Sequence, residues 1–183
     1  MKIQTIKGIT ITTDSIPAGN RQDRQSRERE AVNAMIRELY GDTAVIKHRP
    51  DGAPYIENRP DVMISISHSA TRAAIALLTG TTPIGIDTET LRPQLERILD
   101  RYLSPAEQTE WTTPVDHLIA WCIKEAAYKA AGIPGIDLAH DITISRTEGR
   151  VTVRDIILDY TIAEQTDTDA IVLATRPVST NDI

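Results

Sequence analysis

Phenylalanine is absent from this 183-residue sequence, and its aromatic residues are two tryptophans and five tyrosines. A platform for nucleic-acid bases needs aromatic faces along a positive groove. With 26 acidic against 20 basic side chains and a net charge of -6, the chain is poor in both, and no nucleic-acid partner is expected. Cysteine is nearly absent as well. Cys122 alone excludes an intrachain disulfide and suits a reducing compartment, so a cytoplasmic protein is expected. Long apolar runs are missing: residues 73–78 fall far short of the roughly 20 residues that span a bilayer. The first residues carry no apolar core of a targeting segment, so no membrane partner is expected. What remains is 40% hydrophobic and 25% charged, an ordinary globular composition in which Leu, Ile and Val must build the interior. The length suits one sizeable core or two small halves sharing an interface.

The pattern of apolar residues predicts an α+β chain. A strand over 3–12 precedes a turn-rich stretch, Pro17-Ala18-Gly19-Asn20. A helix follows, because Val32, Met35, Ile36 and Leu39 repeat at helical spacing and Gly41 stops it. Short strands are expected at 44–46 and 63–67, with 73–78 as hairpin partner, and another at 84–89. Helices are expected over 91–102 and 104–111, the second opened by Ser104-Pro105-Ala106-Glu107, which has the form of a capping box. A long helix from about 115 to 131 ends at Gly132, and four antiparallel strands follow at 141–145, 150–153, 158–163 and 170–175. This order suggests two α+β halves, residues 1–82 and 83–177, with a loose tail over 178–183.

Within that frame, Asp87 and Glu89 stand two apart on a strand, so they share one face beside Gly85 while Ile84 and Ile86 turn inward. On the long helix Glu125 and Lys129 are four apart and stack. Three carboxylates and a lysine on two elements look like one magnesium site, since Mg2+ takes one or two carboxylates and completes its shell with water and phosphate oxygens. The blander readings are two solvated acids on an edge strand and a surface ion pair, the latter contributing roughly 0.2–0.5 kcal/mol. Trp121 shares the line of Glu125 and Lys129, which suggests a half-buried cleft wall. Gly85 marks a place where a ligand or another backbone comes close.

Ser67 and His68 end the strand Ile64-Ser65-Ile66-Ser67 and are candidates for phosphate contacts, with a polar hairpin end as the alternative. Adjacent strand residues face opposite ways, so a Ser67–His68 nucleophile pair is disfavoured. An anionic substrate would need local positive charge on this acidic protein. The candidates are Arg21, Arg24, Arg27 and Arg29 at the start of the first helix, then Lys47, His48 and Arg49, then Lys124 and Lys129.

Three segments in this order and spacing, Ile66-Ser67-His68-Ser69, Gly85-Ile86-Asp87-Thr88-Glu89 and Trp121-Cys122-Ile123-Lys124-Glu125-Ala126-Ala127-Tyr128-Lys129, resemble the 4'-phosphopantetheinyl transferase superfamily, in particular its surfactin-synthetase-activating type. The resemblance covers residues 49–145 and implies a pseudo-two-fold monomer of two α+β halves with coenzyme A in the cleft. It implies transfer of the phosphopantetheine arm from coenzyme A to a serine of an apo acyl or peptidyl carrier protein, releasing adenosine 3',5'-bisphosphate. Asp87, Glu89 and Glu125 would hold magnesium, with manganese as substitute. Glu125 would also act as base, and Lys129 would neutralise the leaving phosphate. His68 would contact the pyrophosphate and Ser67 the adenosine phosphate. Lys124 and Arg49 complete the expected substrate-binding set. The turn Gly52-Ala53-Pro54-Tyr55 departs from the family by lacking a basic residue before Pro-Tyr, and Arg49 or the group Arg21 to Arg27 is the expected substitute. Two other classes remain open: a magnesium-dependent phosphohydrolase using water, and a non-enzymatic nucleotide-binding module.

Overall fold

The chain opens with two strands where the sequence predicts one. In the computed structural model, which describes residues 1–177, β1 (Lys2–Ile6) and β2 (Ile9–Ser15) form a hairpin turned by Lys7 and Gly8, both at positive φ. Such a two-residue turn matches the twist of its strands, and a lysine there is what hid it. The expected tail over 178–183 lies outside the described residues. Helix α1 (Arg24–Tyr40) forms where its apolar spacing predicts, burying Val32, Met35 and Ile36 and ending at Gly41. A small ribbon follows, β3 (Ile46–His48) with β4 (Pro54–Ile56), two residues later than the expected strand at 44–46. The hairpin β5 (Val62–His68) and β6 (Arg72–Thr79) completes a four-stranded antiparallel sheet in the order β1-β2-β6-β5, with α1 on one face.

The remaining strands build a second sheet. β7 (Ile84–Thr90) leads into α2 (Pro93–Arg97) and a 3-10 turn at Leu99–Arg101, where a single longer helix was expected. Helix α3 (Pro105–Glu110) makes both bonds of its capping box, between Ser104 and Glu107. The long helix α4 (Pro114–Ala131) has a second box, Thr113 with Asp116, and stops at Gly132 in the left-handed region. Strands β8 (Ile142–Ser145), β9 (Arg150–Val153), β10 (Ile156–Gln165) and β11 (Asp169–Thr175) then join β7 in the antiparallel order β7-β11-β10-β9-β8. No helix among the described residues is long and apolar enough to cross a membrane.

Two contacts set β7 in place. Ile84 and Ile86 pack with Ile171 and Leu173 against Ile9, Ile11, Ala74 and Ala76 of the first sheet, so the sheets meet over an aliphatic layer. The other face of β7 takes α4. The helix comes so close that a Cβ at position 85 would lie 1.9 Å from the Ala126 carbonyl oxygen and 2.7 Å from the Ala130 nitrogen. Gly85 therefore admits a backbone, the second of the two possibilities read from the sequence, and Ala126 and Ala130 supply the small surface opposite. Alternation then places Asp87 and Glu89 on the side of β7 that α4 covers.

Gly85→Ala should lower stability by about 3 kcal/mol or more, since overpacking of backbone on backbone has no flexible side chain to yield. Urea denaturation of the two proteins measures it. An effect below about 1 kcal/mol would mean that the helix can lift from the strand without loss.

Candidate functional site

Asp87 is buried, at 5% exposure, between β5 and α4. Its Oδ1 accepts a hydrogen bond from Lys129 Nζ at 2.7 Å and another from Ser67 Oγ at 2.7 Å. Lys129 also donates to the Ile86 carbonyl at 3.0 Å. The lysine thus crosses from helix to strand instead of pairing along α4 with Glu125, because a buried carboxylate needs a charge partner more than a partly exposed one does. Ser67 has a second task. Its Oγ accepts the Thr88 N–H at 3.2 Å while Ser65 Oγ accepts the Ile86 N–H at 3.0 Å. Two hydroxyls on one face of β5 therefore satisfy the open edge of β7 where no strand pairs with it.

Glu89 is held at both oxygens: Oε1 accepts the Thr90 N–H at 2.9 Å and Oε2 accepts from Arg92 at 2.8 Å. Glu125 has no side-chain hydrogen bond or ion pair among the described residues. Burial raises its pKa first, the Asp87 charge raises it further, Lys129 opposes, and Glu89 adds to the rise. Cys122, fully buried beneath, has its thiol pushed well up by burial and then by Asp87 and Glu89. The charges of Asp87 and Glu89 both raise the Glu125 pKa, so β7 and α4 bring the three carboxylates within electrostatic reach of one another. Among the described residues no three His, Cys, Asp or Glu side chains form a ready-made metal cage. The donor set is nonetheless one of hard oxygens with one carboxylate free, which suits an ion that keeps water and phosphate in its shell.

His68 follows Ser67 and faces the other way, as strand alternation requires. Its Nδ1 lies 3.4 Å from Glu28 Oε1 of α1. The two residues line a cavity of about 560 Å³ with Gln25, Arg29, Asn33 and His48. Of the four arginines expected to serve an anion, Arg24 pairs with Glu28, and Arg27 donates to the carbonyls of Pro17 and Asn20, holding the preceding loop. Arg29 lines the cavity. Arg49 sits on the β3–β4 turn with its guanidinium 5.7 Å from the Tyr55 ring. Trp121 packs edge-on against Tyr102 with ring centroids 5.1 Å apart, which explains its half-buried place.

Lys124 corrects the sequence reading. It is 0% exposed, and its ammonium donates to Glu107 Oε2 at 2.7 Å, the Leu138 carbonyl at 2.9 Å and the Ile142 carbonyl at 2.8 Å. Its three donors are used, so no substrate contact is open to it. Glu107 Oε1 accepts the Ile144 N–H at 2.9 Å. The ion pair thus presents one donor and one acceptor to the outer edge of β8, as a further strand would. Burial lowers the Lys124 pKa and Glu107 counteracts that. Sequence reasoning missed Glu28, Glu107 as a buried partner, and Arg92. Only the last had a local signal, a cation three residues after Glu89.

A sequence profile described as the 4'-phosphopantetheinyl transferase superfamily matches residues 83–175, just over half of the chain and the whole of the second sheet with its helices. A Bacillus subtilis protein described as a 4'-phosphopantetheinyl transferase is 36% identical over 98 residues, which is 49% of this chain and 42% of that protein. The alignment thus spans less than half of the relative's length.

Two measurements check the electrostatics. Because folding raises the Glu125 pKa, the carboxyl favours the fold while protonated, and that advantage is lost as pH rises through the folded value. In chelator-treated protein, Glu125→Gln should be the more stable at pH 7, its lead opening upward from the ordinary carboxylate value of 4.5 and levelling above the raised one. An equal or lower stability at pH 7 would contradict the crowding. Lys124→Met should lose about 3–5 kcal/mol by leaving Glu107 buried without its partner, and adding Glu107→Gln should recover part of it in the same urea titration.

Proposed function

The chain belongs to the 4'-phosphopantetheinyl transferase superfamily, and from that membership we propose that it moves the 4'-phosphopantetheine arm of coenzyme A onto a serine hydroxyl of an apo acyl or peptidyl carrier protein. The observation that carries this reading is the Asp87–Lys129 ion pair between β7 and α4, with Glu89 and Glu125 on the same two elements and within electrostatic reach, all inside the segment that matches the family. Asp87, Glu89 and Glu125 would hold Mg2+, or Mn2+ in its place. When bound, the ion supplies charge stabilisation at the phosphate oxygens.

The chain's own groups do the rest. Glu125, free of partners and with a raised pKa, takes the proton of the incoming serine, as a carboxylate made more basic by burial can. The serine oxygen forms a bond to the phosphorus that carries the pantetheine arm, and the bond from that phosphorus to the bridging oxygen breaks. Adenosine 3',5'-bisphosphate leaves. Lys129, half-buried beside Asp87, neutralises charge on the phosphate side, where a fixed cation in a partly dry site acts most strongly. The cavity between α1 and β5, with His68, His48 and Arg29 on its walls, suits the nucleotide end of coenzyme A, and Ser67, on the opposite face of β5 and bonded to Asp87, is the neighbouring candidate for the adenosine phosphate. Arg49, on the neighbouring turn, is the further cation for the adenosine phosphate. The two halves, 1–82 and 83–177, each lay one long helix on an antiparallel sheet, which supports the pseudo-two-fold reading. The free Cys122 fits a cytoplasmic setting.

The test is intact mass spectrometry of a panel of apo carrier proteins after incubation with the protein, Mg2+ and coenzyme A. The expected result is the mass gain of one arm, lost with Asp87→Ala. Phosphate products without any carrier would instead favour a phosphohydrolase, and no reaction beside a working control transferase would leave a binding module. Lys129→Ala should lower kcat by about 100-fold or more with a smaller change in KM, because the charge it meets develops in the transition state.

A further inference from the structure

Three carboxylates at this site face two side-chain cations, Lys129 and Arg92, and the two cations are held unequally. Lys129 is anchored twice, to Asp87 and to the Ile86 carbonyl, and its side chain is 27% exposed. Arg92 is 47% exposed, and Glu89 is its one ion-pair partner among the described residues. The backbone beneath Arg92 is fixed. Pro93 follows it and opens α2, the Leu91 N–H bonds the Thr168 carbonyl at 2.6 Å, and the Arg92 carbonyl accepts the Leu95 N–H at 3.1 Å. Only the side chain is free to move, and its long stem turns without disturbing strand or helix.

We propose that Arg92 is the resting counter-ion of Glu89 and trades that carboxylate for the substrate's diphosphate when a divalent cation arrives. The inference rests on the metal-dependent reading above and adds a residue to it. Without a cation, three carboxylates against two side-chain positive charges leave one net negative charge, and Arg92 keeps Glu89 from pressing further on Glu125. A divalent cation on the carboxylates removes the reason for that pair and leaves the cluster with one positive charge in excess. A doubly charged diphosphate bridge then restores the original balance, and the released guanidinium, a planar fork at the rim of the site, fits two phosphate oxygens. Arg92 rather than Lys129 makes this move because it is the more exposed and has one anchor where Lys129 has two. Arg92 thus acts first as a competitor for the ion and then as a contact for the substrate.

The opposite signs of these two roles make the test specific. Mn2+ binding is measured by electron paramagnetic resonance without coenzyme A, at low salt, for the wild type, Arg92→Gln and Arg92→Lys. Loss of a partly exposed competing cation should tighten Mn2+ binding by about two- to fivefold in Arg92→Gln, a gain that shrinks as salt screens it. The lysine variant should stay near the wild type in Mn2+ affinity. In the transfer reaction at saturating Mg2+, Arg92→Gln should raise the KM for coenzyme A by about fivefold or more. Unchanged or weaker Mn2+ binding in Arg92→Gln, with a wild type that binds the ion, overturns the role of Arg92 and leaves the metal reading standing. A wild type that binds no Mn2+ overturns both. A merely structural arginine would weaken both affinities together.

Discussion

The closeness of α4 to β7 at Gly85 is the constraint from which the site follows. A helix that rests on a strand across a normal side chain would stand farther off, and Lys129 would no longer reach Asp87 on the strand. With a carbonyl oxygen of the helix 1.9 Å from where a Cβ would be, the separation is set by backbone atoms on both sides. Ala126 and Ala130 make the matching surface, so small residues occur on both elements at the same level. The alternating pattern of β7 does the remainder: Ile84 and Ile86 go to the aliphatic layer between the sheets, and Asp87 is left facing the helix.

Burying that much charge requires partners, and the fold supplies them in two ways. On one side of α4, Lys124 and Glu107 close the edge of β8 as a buried pair. On another, Lys129 pairs with Asp87 at a face that stays partly open. The two lysines stand five positions apart on one helix, so they point to different sides, and their exposures of 0% and 27% separate a sealed pair from one open to solvent. Ser65 and Ser67 belong to the same economy of polar groups. They satisfy the free edge of β7 with hydroxyls, which leaves one sheet beside the other without a continuous ladder, and Ser67 joins that seam to Asp87.

Much of this is legible in the amino-acid sequence alone. The periodicity of Val32, Met35 and Ile36, the box at Ser104 and Glu107, the stop at Gly132 and the alternation of the later strands all rest on local rules that act within a few residues, and each element appears close to where those rules put it. The local rules failed where the signal was weak or shared. A lysine at positive φ concealed the first hairpin, and a helical segment after β7 divided into α2 and a 3-10 turn. The Thr113–Asp116 box opens α4 at Pro114, one residue before the start that apolar spacing predicts.

The sequence by itself determined which residue types carry chemistry and on which face of which element they lie, because spacing along a strand or helix fixes direction. Only the tertiary structure decided which of them meet. Whether Lys129 turns to Glu125 or to Asp87, whether Lys124 faces solvent or the interior, and which side of β5 shows His68 to α1 all depend on how deeply each charge is buried and what stands opposite. Those are properties of packing between elements distant in the chain, and no periodicity within one element encodes them.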